Sequence, residues 1–255
     1  VLVADDPVTV IISEKGWVRA RTGHGHDPAS FTFKAGDTLY RAFECRTVDT
    51  LLAFGSNGRV YSVPVAGLPG ARGDGQPVLT LIELEAGTQL LHYFAGPSQA
   101  QLLLSGSGGY GFIAHVGDMI SRQRGGKAFI TCNAGETVCA PSSIGGTNGS
   151  VPVPEATHIA CASTGGRLLT FPIGELRTMP NGGRGLMLMS LEDKDVLIGA
   201  AAYTRSIRVQ GTGRGGKPRE ETLEIRSLNN AAAARGRKGK AADWGFKPQR
   251  IRRIE

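Results

Sequence analysis

Ser121-Arg122-Gln123-Arg124-Gly125-Gly126-Lys127 places three fixed cations and two glycines on one short polar stretch, directly ahead of the apolar Ala128-Phe129-Ile130. A guanidinium is a planar fork of donors that matches phosphate oxygens, and an ammonium is a compact point charge. Glycine lets the backbone approach a ligand closely and adopt φ > 0. Such a stretch can grip an anionic polymer through charge-assisted hydrogen bonds. Gly70-Ala71-Arg72-Gly73-Asp74-Gly75 and Asn181-Gly182-Gly183-Arg184-Gly185 follow the same grammar, each ahead of an apolar segment. Arg19-Ala20-Arg21-Thr22-Gly23-His24-Gly25-His26 is read in the same role near the N-terminus.

Other chemistry finds less support. Gly211-Thr212-Gly213-Arg214-Gly215-Gly216-Lys217 imitates a phosphate-cradling loop, but Pro218 stands where a Mg²⁺-binding Ser or Thr belongs, and a β-like run follows instead of a helix. His24, His26 and Asp27 offer metal ligands from only one short loop, without a second cluster nearby in sequence. His92, His115 and His158 fall singly inside apolar stretches. The tyrosines, Tyr40, Tyr61, Tyr93, Tyr110 and Tyr203, sit in strand-like contexts. No Ser/His/Asp or paired-carboxylate arrangement stands out. The residues thus give no catalytic centre, no metal site and no cofactor.

The elements that must position the basic loops repeat. An apolar strand, a polar glycine turn and a second strand recur at Val8–Arg21, Leu51–Val63, Gln101–Ile113 and His158–Phe171. Asn57-Gly58 is the strongest hairpin signal among the turns. Turn glycines Gly16, Gly58, Gly109 and Gly166 are 42, 51 and 57 residues apart. About four short strands with their turns fill roughly 40 residues, the size of one propeller blade. Pro64–Leu68, His115–Met119 and Pro172–Leu176 follow the second strand at one offset, and a basic glycine loop comes after each. Apolar strands are expected next, at Val78–Ile82, Ala128–Thr131 and Leu186–Met189. A looser fifth copy spans Ser206 to Ile225, with a long turn at Gly211–Glu221.

With 37 glycines among 255 residues and short strands, the chain is expected to be all-β. Repeats are placed near 8–50, 51–98, 99–155, 156–203 and 204–234, making residues 1–234 one domain. Residues 235–255 hold eight cations against Asp243 and Glu255, six of the chain's net +7. They read as a basic tail that either stands free or completes the last blade, and such a tail suits nucleic acid or anionic lipid. Cys45, Cys132, Cys139 and Cys161 form no CxxC pair and are expected as buried, reduced thiols, which fits a cytosolic protein. No signal peptide or membrane span is visible, and a chain starting at Val1 is expected to be a fragment of something longer.

Ile12-Ser13-Glu14-Lys15-Gly16-Trp17-Val18-Arg19, with Lys34-Ala35-Gly36-Asp37, resembles the start of the C-terminal domain of the A subunit of bacterial DNA topoisomerase IV, in the gyrase A C-terminal domain family. Leu68–Gly75, Gly109-Tyr110-Gly111-Phe112 and Gly126-Lys127-Ala128 extend the resemblance over most of residues 5–225. It implies a β-pinwheel: a propeller-like ring, closed or open, of about five four-stranded antiparallel blades that exchange strands and carry duplex DNA on a basic outer rim. Gyrase has a Gln-Arg-Arg-Gly-Gly-Lys-Gly box in its first blade. Here the shortened Gln123-Arg124-Gly125-Gly126-Lys127-Ala128 lies in the third blade, which favours topoisomerase IV over gyrase-like wrapping. The residues expected on DNA are Arg19, Arg21, Arg72, Arg122, Arg124, Lys127 and Arg184, with Arg235, Arg237 and Lys238 in support.

The resemblance also implies a domain that is not catalytic by itself, since the family's cleavage tyrosine belongs to a region this chain lacks. Its partners would be duplex DNA, the catalytic core of the same polypeptide and the ATPase subunit, with no small-molecule substrate. Its place would be the cytoplasm at the nucleoid, with membrane-lipid contact by the tail left open. The competing reading is a propeller that binds protein partners.

Overall fold

Leu51-Leu52-Ala53-Phe54 and Leu102-Leu103-Leu104 show no polar alternation, the pattern of a strand covered on both faces. The computed structural model describes residues 2–148 and 151–254, and in it these runs form central strands of small antiparallel sheets. The first repeat gives β1 (Pro7–Ser13), β2 (Trp17–Thr22) and β3 (Leu39–Arg46). The second gives β4 (Thr50–Gly55), β5 (Arg59–Pro64), β6 (Gln76–Pro77) and β7 (Leu90–Gly96). The third gives β8 (Gln101–Ser105), β9 (Tyr110–His115), β10 (Lys127–Ala128) and β11 (Ser142–Ser143), followed by a ribbon of β12 (Gly146–Asn148) and β13 (Val151–Val153). The fourth gives β14 (His158–Ser163), β15 (Arg167–Pro172), β16 (Leu186–Met187) and β17 (Leu197–Tyr203). The last gives β18 (Ser206–Thr212), β19 (Pro218–Glu224), β20 (Lys240–Ala241) and β21 (Lys247–Arg253).

Each repeat after the first is a hairpin, a two-residue crossing strand and a return strand. The return strand pairs inside its own repeat. The crossing strand pairs with the hairpin of the repeat before, so the sheets run β3-β1-β2-β6, β7-β4-β5-β10, β11-β8-β9-β16 and β17-β14-β15-β20. The fold is thus all-β with exchanged strands. Four sheets have the expected four strands. The fifth, β21-β18-β19, has three, and no described strand takes the outer edge of β19.

The crossing strands are shorter than the expected apolar segments, and two of the three start upstream of them, at Gln76 and Lys127, while the third, Leu186–Met187, starts where expected. Gln76–Pro77 pairs, and Val78–Thr80 turns into a 3₁₀ helix. The reason is that the next residue must drop into the core. Val78, Phe129 and Leu188 are buried, and their N–H groups donate to the turn carbonyls of Gly16, Gly58 and Gly109 at 2.9, 3.1 and 2.7 Å.

The chain packs as two compact units. One carries the first two sheets and the other the remaining three. In the first, Leu51, Leu52, Phe54, Val60 and Tyr61 are fully buried, and Phe43 meets Phe94 edge-on at 5.5 Å. In the second, Leu103 and Leu188 of the third sheet pack with Ile159, Leu169 and Phe171 of the fourth. Each such side chain contributes about 1.5–3 kcal/mol by leaving water. The cysteines are free thiols: Cys45, Cys139 and Cys161 are buried, and Cys132 is half-buried. Burial pushes the Cys45 and Cys139 thiols up to about 12. No described helix is long and apolar enough to cross a membrane.

Candidate nucleic-acid interface

The basic loops are the segments that carry the chain back to the preceding sheet. Four are equivalent: 70–75, 121–126, 177–185 and 232–239. Each is tied at its start to a second hairpin strand. Ala20 N donates to Pro69 O at 2.9 Å, Ser121 N to Ser62 Oγ at 2.9 Å, Ile113 N to Arg177 O at 2.9 Å and Ala233 N to Thr170 O at 3.1 Å. Each ends on a glycine with positive φ: Gly75, Gly126, Gly185 and Gly239. A Cβ there would stand 2.1 Å from Val18 O, 2.4 Å from Val60 O, 2.1 Å from Gly111 O and 2.7 Å from Leu168 O. The strand crossing itself demands these glycines, so Gly126 is fixed by the fold rather than by the approach of a ligand.

This geometry corrects the reading of the N-terminal loop and, of the two readings of residues 235–255, follows the one in which they complete the last blade. Arg19 and Arg21 lie on β2, the strand that receives the crossing strand β6, and not on a crossing loop. The fourth loop lies instead in the segment read as a tail. Arg235-Gly236-Arg237-Lys238-Gly239 leads into β20, which closes the fourth sheet, and β21 enters the fifth.

In the first unit Arg19 is only 6% exposed, and it donates to the carbonyls of Gly73 at 2.7 Å and Thr32 at 2.5 Å with Phe33 beneath it. It holds the loop and does not present its charge, contrary to the expectation from sequence. Arg21 is exposed and reaches Ser30 Oγ at 3.4 Å. Arg72, Arg122 and Arg124 are exposed, the last with a long 3.4 Å contact to Thr80 O. Lys127 is half-buried over the Phe129 ring at 5.8 Å. Arg21 and Arg72 face a cleft of about 790 Å³ that also involves Ser30, Thr32 and Gly70, with Arg19 in its wall.

In the second unit Arg184 pairs with Glu136 at 3.0 Å and stacks on Tyr110 at 4.1 Å. Arg235 donates to the carbonyls of Glu175 at 2.9 Å and Met187 at 2.7 Å, and its N–H to Glu175 Oε1 at 3.0 Å. Lys238 meets Glu192 at 3.2 Å, while Arg237 is exposed.

Sequence reasoning missed the clamps. Arg59 donates to the carbonyls of Gly125 and Gly126, both at 2.9 Å, and Arg167 to that of Gly239 at 3.1 Å. The available signal was position: each follows a turn glycine directly, as Gly58-Arg59 and Gly166-Arg167. It also missed Arg208, Gln210, Arg250 and Arg252, which share one face of the fifth sheet by register.

The histidine loop is satisfied by backbone. His24 Nε2 lies 2.7 Å from Cys45 O and His26 Nε2 lies 2.8 Å from Thr22 O. Among the described residues no His, Cys, Asp and Glu gather in a metal-binding group. Gly211–Lys217 is the end of the β18–β19 hairpin, with no helix after it of the kind a phosphate loop needs.

Repeated hairpins closed by a strand from the following repeat define a β-pinwheel. The structure superimposes on one described as the E. coli ParC C-terminal domain with a TM-score of 0.78, at 27% identity, over 96% of this chain and 98% of that one. A model of the DNA gyrase C-terminal domain, beta-propeller, matches residues 49–84 and 157–203. The chain is 39% identical over 241 residues to the A subunit of DNA topoisomerase 4 from Neisseria gonorrhoeae, covering 93% of this chain and 30% of that protein. It is 30% identical over 246 residues to the corresponding protein of Haemophilus influenzae, covering 94% and 32%. The chain belongs to the DNA gyrase A C-terminal domain family, with the A subunit of topoisomerase IV among its relatives. It spans about a third of the length of these curated relatives.

Proposed function

We propose that the chain is a non-catalytic DNA-binding domain of a type IIA topoisomerase of the topoisomerase IV kind. It binds duplex DNA without reading sequence and bends it, and so biases the enzyme toward supercoiled or catenated substrates. Its partners in that setting are the catalytic core of the same polypeptide and the ATPase subunit. Its place is the cytoplasm, at the nucleoid. The observation that carries the reading is the set of equivalent crossing loops with exposed cations, Arg72, Arg122, Arg124 and Arg237.

Phosphate contacts position a duplex and carry no base code. Bending a site of 20–30 bp costs about 1–6 kcal/mol, and a few charge-assisted hydrogen bonds at about 1.5–3 kcal/mol each offset that. Each neutralised phosphate adds about 0.9 to the slope of log affinity against log salt.

Arg122→Ala with Arg124→Ala tests the reading by duplex binding across a salt series. The expected outcome is an affinity about 10–100-fold weaker at low salt and a slope shallower by about 2. An unchanged slope counts against these residues as phosphate contacts.

A further inference from the structure

Arg-Gly-Gly-Lys occurs twice in the chain, as Arg124–Lys127 in a crossing loop and as Arg214–Lys217 at the tip of the β18–β19 hairpin. The two copies are built differently. In the crossing loop a Cβ on Gly126 would stand 2.4 Å from Val60 O, so packing demands that glycine. At the tip Gly215 and Gly216 have φ of 73° and 75°, and a Cβ on either would meet no atom within 4 Å. Their bare backbone lies open to approach from outside.

This hairpin also differs from the other four. Gly16, Gly58, Gly109 and Gly166 close tight turns by donating to the carbonyl three residues back, and those turns carry no net charge. The fifth turn is longer, with Gly213 N on Lys217 O at 2.7 Å. It carries Arg214 and Lys217, and Arg219 and Lys247 stand at its base. All four cations are exposed, and none has an ion pair among the described residues. Glu220, the first acid along β19, is held by Arg208 at 3.9 Å and Gln210 at 3.2 Å. In the closed sheets the turn residues Glu14, Lys15, Thr164 and Gly165 stay exposed, so a strand laid along β19 would leave the tip outside. Arg253 pairs with Ile207, so the described chain leaves this sheet at its far end, about 20 Å from the tip.

We propose that the β18–β19 tip is a further DNA-contacting element, separate from the crossing loops, that seats on the phosphate backbone of a duplex; this rests on the reading of the chain as a DNA-binding domain. Arg214 offers a guanidinium fork and Lys217 a point charge to neighbouring phosphates. Gly215 and Gly216, between them, let the turn itself come within hydrogen-bond reach. Lys247 and Arg219 continue the positive surface down the sheet, with Arg219 over the Phe246 ring at 5.9 Å. The tetrapeptide shared with the crossing loop favours the same ligand over an acidic polypeptide. Such contacts hold a duplex without reading its bases.

The test is duplex binding across a salt series by Arg214→Ala with Lys217→Ala, set against Arg205→Ala with Arg226→Ala. The second pair is also exposed and lies near the opposite end of the hairpin, beside Ser206 and Glu224. It removes the same charge about two Debye lengths away at 0.1 M salt. Both pairs should leave the melting temperature unchanged. The tip pair should weaken duplex binding about threefold to thirtyfold at low salt and make the salt slope shallower by about 2. The distant pair should change affinity less than about twofold. A tip pair without effect, in a chain whose slope Arg122→Ala with Arg124→Ala does flatten, overturns this proposal alone. A parent chain that binds no duplex overturns the DNA-binding reading along with it. A distant pair that weakens binding as much as the tip pair reduces the effect to net charge and overturns the proposal. So does a tip pair that abolishes binding of polyglutamate while duplex affinity stays unchanged, which assigns the tip to an acidic polypeptide.

Discussion

Arg72 and Arg122 in the first unit extend from their loops without an ion pair among the described residues, whereas in the second unit Arg184 is held by Glu136 and Lys238 by Glu192. The backbone of the loops is the same in both units. Each is tied at its start, clamped by a hairpin residue in three of the four cases, and ends on a glycine pressed against a carbonyl. One scaffold therefore carries cations in two states, those available to a ligand and those already used to hold the fold. Counting basic residues merges the two.

The largest effect should be common to both units. Gly126→Ala and Gly185→Ala each put a Cβ within 2.4 Å of a carbonyl oxygen, at positive φ. Each should cost about 2–4 kcal/mol in denaturant unfolding, and a large difference between them would break the claim of a shared scaffold. Next, Arg184→Ala should lower stability by about 1–2 kcal/mol, since it leaves the half-buried Glu136 with the Asn133 N–H but without its cation, yet change duplex affinity less than about twofold. The Arg122 and Arg124 pair should show the reverse, with little change in melting temperature.

A smaller effect comes from the carboxylates that anchor equivalent turns in the two units, Asp37 and Asp195. Burial alone would raise the Asp195 carboxyl, but hydrogen bonds from Thr164, Ser163, Gly165 and Val196 outweigh it and hold the group below its usual range. Its stabilisation is present above the unfolded value near 3.9 and is lost as pH falls through the lower folded value. Asp195→Asn should therefore cost about 1–2 kcal/mol at neutral pH, with the gap in melting temperature to the parent chain closing below about pH 4. Smallest is Lys194, the one non-glycine residue with positive φ among the described residues, where three other repeats place Gly36, Gly87 and Gly135. Lys194→Gly should raise stability by about 0.5–1 kcal/mol.

The hairpins were legible because their signals are local. Asn57-Gly58 fixes a turn, and an unbroken run such as Leu51–Phe54 marks a strand covered on both faces. The crossing strands were not, because two residues have no periodicity. Only their glycine-led spacing repeats, and it continues into Gly239-Lys240-Ala241, inside the stretch that charge alone marked as a tail. The fate of each cation was least legible. Arg19 and Arg72 look alike in sequence, yet Thr32 and Gly73 carbonyls, distant along the chain, remove the first from solvent. Composition records that a charge exists, and only packing decides whether it has already found its partner.

The exchange of strands also sets a timetable for synthesis. A chain growing from its N-terminus cannot close the β1–β2 hairpin's sheet before Gln76 and Pro77 have been made, nor the fourth sheet before Lys240 and Ala241. At every stage the most recently made sheet shows a raw edge, and each new repeat seals the one behind it. The nascent domain thus advances like a row of shingles, each held down by the next.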